Sequence, residues 1–268
     1  MIEIKDVTMQ YPVPKRYIDI LRNPFKTEKF TALEKCNLTI SEGEKIAFLG
    51  SNGAGKTTLL KLIGGLLYPS QGNISIHGYN TQSHNVEARK NVGFVINEER
   101  SFYWRLTGRQ NLAFFGALDN LKGQVLHEKI SQLIDLVGLT RHADKLFAGY
   151  SSGMKQKLAI ARGLLADPKI LILDEPTRTL DPIATEEVKE LIFKKIHSDR
   201  ERTLLIATHN LDEAKALCSK ICIMKEGKVL HYKSKEETLR TYANLLECYN
   251  HVITNGKEKI AHYTNGVY

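Results

Sequence analysis

The sequence predicts an α/β fold: a mainly parallel sheet with helices on its faces, an antiparallel N-terminal β subdomain, and an α-helical subdomain set apart from the sheet. Two observations carry this reading. Strand-sized apolar runs at residues 45–49, 170–173 and 203–207 alternate with helix-period segments, as crossover connections between parallel strands require. The first run opens into a glycine-rich loop at residues 50–55 and then into a helix, a junction suited to binding anions.

Each element follows in chain order. Residues 2–11 alternate loosely and read as a strand. Pro12, Pro14 and Pro24 break that pattern, so residues 12–31 form a connector or a short insert. Residues 38–40, the turn Ser41-Glu42-Gly43-Glu44 and residues 45–49 make a further strand pair. A helix is expected over residues 55–62, and short strands over 73–76 and 92–96. From 107 to 146 the period is helical. Leu112, Phe115 and Leu118 are assigned to one face, then Ile130, Leu133, Ile134 and Val137, with Gly138 as a C-terminal cap. There follow a helix (151–165), a buried strand (170–173), a helix (183–196), a strand (203–207), a short helix (211–218) and a hairpin of 221–224 with 228–232 across Glu226-Gly227. The period over 241–268 is too weak to assign. The expected organisation is one domain over 1–240, with the helical subdomain at about 98–165 and the basic insert at about 12–31, then an unassigned extension at 241–268.

With 42% apolar and 25% charged residues over a length of 268, the chain can bury a substantial core. No apolar run approaches the length of a membrane-spanning helix, and the opening Met1-Ile2-Glu3-Ile4-Lys5 has no signal-peptide apolar stretch. The expected location is the cytosol, with any membrane contact peripheral. The net charge of +8 suits an anionic neighbour, and equally a merely solvated basic surface. Cys36, Cys218, Cys222 and Cys248 form no C-x-x-C pair and lack zinc-site spacing, so packed, reduced thiols are expected.

The chemistry concentrates at the ends of the apolar runs. Gly50-Ser51-Asn52-Gly53-Ala54-Gly55-Lys56-Thr57 fits G-x-x-x-x-G-K-[ST], the mark of a P-loop NTPase core. Glycines let the backbone wrap phosphate oxygens with its N–H groups pointing inward, and the following helix aims its positive end at the same anion. Lys56 supplies a cation for the outer phosphates, the Thr57 hydroxyl coordinates Mg²⁺, and Thr58 joins the same nucleotide-binding set. The run at 170–173 ends in Asp174-Glu175. Asp174 would hold Mg²⁺ through water, and Glu175 would polarise the attacking water as general base. The run at 203–207 ends in Thr208-His209. His209 could donate to a γ-phosphate and steady the water, although a lone histidine is more often structural.

Tyr150-Ser151-Ser152-Gly153-Met154 opens a helix shortly before the acidic strand. With the phosphate loop, Leu173-Asp174-Glu175-Pro176-Thr177, Thr179-Leu180-Asp181 and His209, in this order, the sequence resembles the ATP-binding cassette family, whose signature is usually L-S-G-G-Q. The resemblance covers roughly residues 1–239. It implies two cassettes paired head to tail around two ATP molecules, each held by the phosphate loop of one chain and the signature of the other. Ser151, Ser152 and Gly153 would then meet the γ-phosphate across the interface from a helix N-terminus, and Asp181 would contact the opposite phosphate loop. Tyr11 matches the aromatic that stacks on adenine; a strand-end tyrosine is the competing reading. The position usually filled by a Mg²⁺-binding glutamine is Asn97, shorter by one methylene, with Glu98 as a possible substitute.

Residues 101–112, with Phe102, Tyr103 and Trp104, look like the segment that faces a separate membrane subunit in ABC-2 exporters, which carry drugs, polysaccharides or lipid-linked glycans. The basic insert interleaves Lys15, Arg16, Arg22, Lys26 and Lys29 with Tyr17, Ile18, Leu21 and Phe25. That suits an amphipathic helix at a membrane surface, as in polysaccharide and teichoic-acid-like glycan exporters, or simply a basic loop. The expected partners are therefore a second copy, a membrane permease and the lipid surface, at the cytoplasmic face of the membrane. Cassettes that act on DNA or ribosomes carry two cassettes, zinc insertions or coiled-coil arms, none of which is present here, so no nucleic-acid partner is expected. A degenerate regulatory cassette is disfavoured by Lys56, Asp174, Glu175 and His209 together.

Overall fold

The computed structural model describes residues 1–13, 28–96, 101–197 and 199–255. Two sheets and a helical lobe make up the fold. β1 (Ile2–Pro12) pairs antiparallel with β2 (Lys29–Ile40) and with β4 (Gln71–Ile76), which pairs in turn with the short β5 (Tyr79–Asn80). Only residues 38–40 of the long β2 were legible as strand. Its first three residues, 29–31, lie where the end of the insert at 12–31 was expected, with Pro12 opposite Lys29 and Tyr11 opposite Phe30. The amphipathic helix expected within that insert falls outside the described residues.

The second sheet runs β10-β9-β3-β8-β7-β6. Its strands are β3 (Lys45–Leu49), β6 (Val92–Ile96), β7 (Ile170–Asp174), β8 (Thr203–Thr208), β9 (Lys220–Lys225) and β10 (Lys228–Ser234). All neighbours are parallel except β10, which returns antiparallel to β9. The apolar runs are continuous because both faces are covered. Ala47, Leu49, Leu171, Leu173, Leu204 and Ile206 face one buried cluster. Ile46, Phe48, Ile170, Ile172, Leu205 and Ala207 face the other, shared with the N-terminal sheet and α1 (Lys56–Ile63). The β9–β10 turn forms across Glu226 and Gly227 as expected, at φ 49° and 78°. Positive φ at both central residues makes the turn's twist match that of the strands.

The helical lobe holds α3 (Gly108–Leu118), α4 (Gly123–Leu136) and α5 (Ser152–Gly163); the short α2 (Asn85–Arg89) precedes it in the chain. Thr107 and Gln110 close a reciprocal capping box at the start of α3. Gly138, at φ 69°, ends α4, its N–H bonded to the Asp135 carbonyl. Leu118 does not share the buried face of Leu112: Leu112 is fully buried and Leu118 is 64% exposed. Six residues at about 100° each carry Leu118 about 120° off that face. Phe102 is a core residue of this lobe, its ring stacked 4.8 Å from that of Phe147, whereas Tyr103 and Trp104 are exposed.

The helix expected over 183–196 is α6 (Pro182–Leu191), which widens into a π-helical turn over Ile192–His197. α7 (Leu211–Leu217) follows β8. After β10 come α8 (Lys235–Thr241), capped by Ser234 and Glu237, and, within the stretch 241–268 that could not be assigned from sequence, α9 (Leu245–Asn255), which buries Leu245, Cys248 and Val252. All four cysteines are free and buried. Among the described residues, no helix is long and apolar enough to cross a membrane.

Candidate active site

Strand order determines which chain segments meet. β3, β8, β7 and β6 run parallel, with Leu49 beside Thr208, Asp174 beside Ala207 and Ile96 beside Asp174. The residues that follow these strands are therefore delivered to one edge of the sheet, where parallel α/β sheets bind their ligands.

The phosphate loop follows β3. Gly53 and Gly55 have φ of 82° and 99°, which only glycine adopts freely. At Gly55 a Cβ would lie 2.7 Å from the Ala32 carbonyl oxygen. α1 begins at Lys56 with no side-chain cap and no acidic residue in its first turn, so its first N–H groups are open to an anion. Ser51, Asn52, Gly53 and Thr57 are exposed, Thr58 is half-buried, and Ala54 is buried. Lys56 is only 5% exposed. Its Nζ donates to the carbonyl oxygens of Gly50 (2.7 Å) and Ser51 (3.2 Å) and stands 3.8 Å from Glu175 Oε1. Burial pulls the Lys56 ammonium below its ordinary pKa, against the opposing pull of Glu175 and Asp174.

Asp174 ends β7 and is buried, with Thr57 Oγ1 donating to its Oδ1 at 3.1 Å. Burial raises its carboxyl above the usual range, Thr57 opposes that shift and the neighbouring Glu175 adds to it. Glu175 has φ 50°, an uncommon value for a residue with a Cβ, and its N–H donates to Ala207 O at 2.9 Å. Its Oε2 lies 2.7 Å from His209 Nδ1. The Glu175 side chain is 12% exposed and that of His209 56%, so the pair sits at the mouth of the loop. Thus Lys56, Thr57, Asp174, Glu175 and His209, predicted from three separate stretches, stand together.

The signature residues, Asp181 and Tyr11 make no hydrogen bond to these side chains among the described residues. Ser151 caps α5, its Oγ accepting from Met154 N–H at 3.3 Å, and a Cβ on Gly153 would lie 2.9 Å from Ala184 Cβ. Asp181 caps α6 by accepting from Ala184 N–H at 2.9 Å. Among the described residues, no hydrogen bond or ion pair joins Ser151, Ser152, Gly153 or Asp181 to the phosphate loop. Half-buried Tyr11 packs against the core beneath β1. Asn97 and Glu98 fall outside the described residues. Sequence reasoning quoted Thr177 in the acidic motif without a role for its side chain and missed Glu213; Thr177 Oγ1 donates to Glu213 Oε1 at 3.1 Å. Their only signal in the sequence was position, Thr177 in the turn and Glu213 in the helix after His209.

Comparison with known proteins places this geometry in a family. A model described as ABC transporter matches residues 33–178. The ABC transporter ATP-binding protein NatA of Bacillus subtilis is 36% identical over 214 residues, 80% of this chain and 86% of that protein. The bacitracin transport ATP-binding protein BcrA of Bacillus licheniformis is 39% identical over 201 residues, 74% of this chain and 63% of that protein. Among solved structures, a post-hydrolysis dimer of the ATP-binding cassette MJ0796 with ADP and phosphate superposes with a TM-score of 0.74 at 27% identity, covering 87% of this chain and 98% of that one. The chain belongs to the ABC transporter family, as one of its ATP-binding, ATP-hydrolysing cassettes.

Proposed function

We propose that this cassette powers an exporter, working as a head-to-tail dimer against a separate membrane permease at the cytoplasmic face of the membrane. The observation that carries the motor reading is the position of Glu175. Its carboxylate lies within 3.8 Å of the phosphate-loop lysine and hydrogen-bonds to His209 at the open end of the loop. In the present arrangement Lys56 is spent on the Gly50 and Ser51 carbonyls, and entering phosphates would take over that ammonium and the open N-terminus of α1.

Glu175 would accept a proton from a water whose oxygen attacks the γ-phosphorus as the bond to the β-bridging oxygen breaks, releasing ADP and phosphate. His209 would orient that carboxylate through Nδ1–H and, with its second ring nitrogen also carrying a proton, donate to a γ-phosphate oxygen. Thr57 and Asp174 present the hard oxygen pair that suits Mg²⁺, which keeps several waters of its own. Burial has already made the Asp174 charge costly, so a cation there is favourable. Bound Mg²⁺ would neutralise charge on the outer phosphates; Asn97 is placed with this pair by sequence alone. Ser151, Ser152 and Gly153, with Asp181, would serve the partner's ATP rather than their own, and Tyr11 would meet the adenine.

Export is favoured by relatives named for bacitracin transport and Nod factor export, although a methionine import protein matches too, at 30% identity. The exposed Tyr103 and Trp104, on the rim of the helical lobe, are the apolar contacts we assign to the permease. The permease would determine the transported molecule.

Turnover by wild type and by Glu175→Gln, with ATP-dependent dimerisation followed by size, tests this reading. Wild type should hydrolyse ATP. The variant should slow by about 100-fold or more and accumulate an ATP-bound dimer, because binding needs no proton abstraction. Equal rates would remove Glu175 as the base.

A further inference from the structure

Glu213 lies four residues beyond His209, in the first turn of α7, and takes no part in the reading above. It is fully buried. Its backbone N–H donates to Asn210 Oδ1 at 3.2 Å, which fixes the start of the helix. The carboxyl points inward. Oε1 accepts from Thr177 Oγ1 at 3.1 Å, and Oε2 has no hydrogen-bond partner among the described residues. No cation forms an ion pair with it among them either. The charges that face it are Lys189 on α6 and the carboxylate of Glu175. Burial, reinforced by Glu175, holds the Glu213 carboxyl above the usual range, with the hydroxyls of Thr208 and Thr177 opposing. As a packing element this is a poor choice. An apolar side chain of similar volume would fill the space without desolvating a carboxyl or orphaning an oxygen.

What the carboxyl does hold is Thr177, and Thr177 belongs to the turn that carries Glu175. That turn is under backbone strain, with Glu175 at φ 50°. Its main chain is held by Glu175 N–H on Ala207 O (2.9 Å), Arg178 N–H on Glu175 O (3.3 Å) and Leu180 N–H on Thr177 O (3.2 Å). The Thr177–Glu213 bond adds a tie from behind, anchored on the helix that follows His209. Both residues at the mouth of the loop, Glu175 and His209, are thus referred to one buried group. We propose that Glu213 is a positioning residue for hydrolysis: through Thr177 it holds the strained turn so that the Glu175 carboxylate stays aimed at the attacking water. This rests on the reading of Glu175 as general base.

The test is steady-state ATPase kinetics of full-length Glu213→Ala, Glu213→Gln, Thr177→Val and the double variant Thr177→Val/Glu213→Ala. Unfolding midpoints and nucleotide affinity are measured on the same samples. Glu213→Ala should lower kcat about 10- to 100-fold with KM for ATP within about twofold, since aim is lost and binding is not. Glu213→Gln keeps an acceptor for Thr177 and should stay within about threefold of wild type. Thr177→Val should reproduce the loss, and the double variant should be no slower than the slower single one, because both changes break one tie. A Glu213→Ala protein with wild-type kcat overturns the proposal. So does a Glu213→Gln protein as slow as the alanine variant, or a double variant whose losses multiply. If Glu213→Ala does not fold, Glu213→Gln and Thr177→Val carry the test. Glu175→Gln is run beside them: if it turns over at the wild-type rate, the general-base reading has failed, which is a different outcome from a silent Glu213.

Discussion

A methyl group at Gly55 would sit 2.7 Å from the Ala32 carbonyl oxygen and 2.9 Å from Leu33 Cδ2, on a backbone already at φ 99°. Strain and overlap add here, and the Ala32 carbonyl cannot yield cheaply, because it belongs to the backbone of β2. Gly55→Ala should therefore destabilise the fold by about 1–3 kcal/mol and abolish ATP binding, read by denaturant unfolding and nucleotide titration. Wild-type affinity in a folded Gly55→Ala protein would show that the loop tolerates a side chain. This residue was legible in the sequence because its constraint is local: a backbone conformation and a residue type that permits it. Lys56, Asp174 and Glu175 were legible for a related reason, each being fixed by its distance from a recognisable strand or loop. Glu213 was not, because its significance lies in burial against Thr177, 36 residues away. From sequence it is one more acid in the first turn of a helix, where acids are ordinary.

At the scale of elements, β10 and α8 are tied by a buried histidine. His231 Nε2 lies 2.9 Å from Thr238 Oγ1, and that hydroxyl donates to the Ser234 carbonyl at 2.8 Å, so the imidazole nitrogen is the donor. Burial, with Lys233 adding, lowers the His231 pKa from 6.5 to about 4. A base whose folded pKa is depressed contributes fully to stability above its unfolded value. That contribution is lost as pH falls from 6.5 towards 4, up to about 3 kcal/mol on the size of this shift. His231→Gln keeps a donor for Thr238 and cannot be protonated, so its stability should fall less steeply than wild type between pH 6.5 and 4. Parallel curves from chemical denaturation at stepped pH would show that His231 is not the group being titrated. α8 and the following α9 were the hardest elements to read. The buried set of α9 is Leu245, Cys248 and Val252, a short helical repeat amid exposed residues such as Leu246, and only the neighbouring sheet reveals which face is inside. The central strands gave no such difficulty, because burial on both faces makes them apolar throughout.

At the scale of the whole molecule, the residues proposed to hold the nucleotide fall into two groups. The phosphate loop, Asp174, Glu175 and His209 share one edge of the sheet, while Ser151 caps α5 with an exposed side chain and no acid in the first turn of that helix. A helix N-terminus of this kind favours an anion, and its own phosphate loop makes no hydrogen bond to it among the described residues. A second copy turned head to tail would bring the two halves together twice, with one complete site on each side of the two-fold axis. Sequence order announced both halves, but whether they meet within one chain or between two is a matter of distance, which no spacing of motifs encodes. The division makes a prediction that no single-chain site could satisfy. Lys56→Met should disable the phosphate loop and leave the signature intact. Ser151→Glu should place a charge at the α5 N-terminus that repels the γ-phosphate, leaving the phosphate loop intact. Each variant alone should hydrolyse almost nothing. Mixed in equal amounts, half of the dimers that form are mixed, and each of these has one site built from two undamaged halves. Roughly a quarter of the wild-type sites are then restored, and ATPase activity should rise accordingly as the proportions approach equality. A mixture as inactive as its components would mean that each chain builds its site alone, and the head-to-tail arrangement would fall with it.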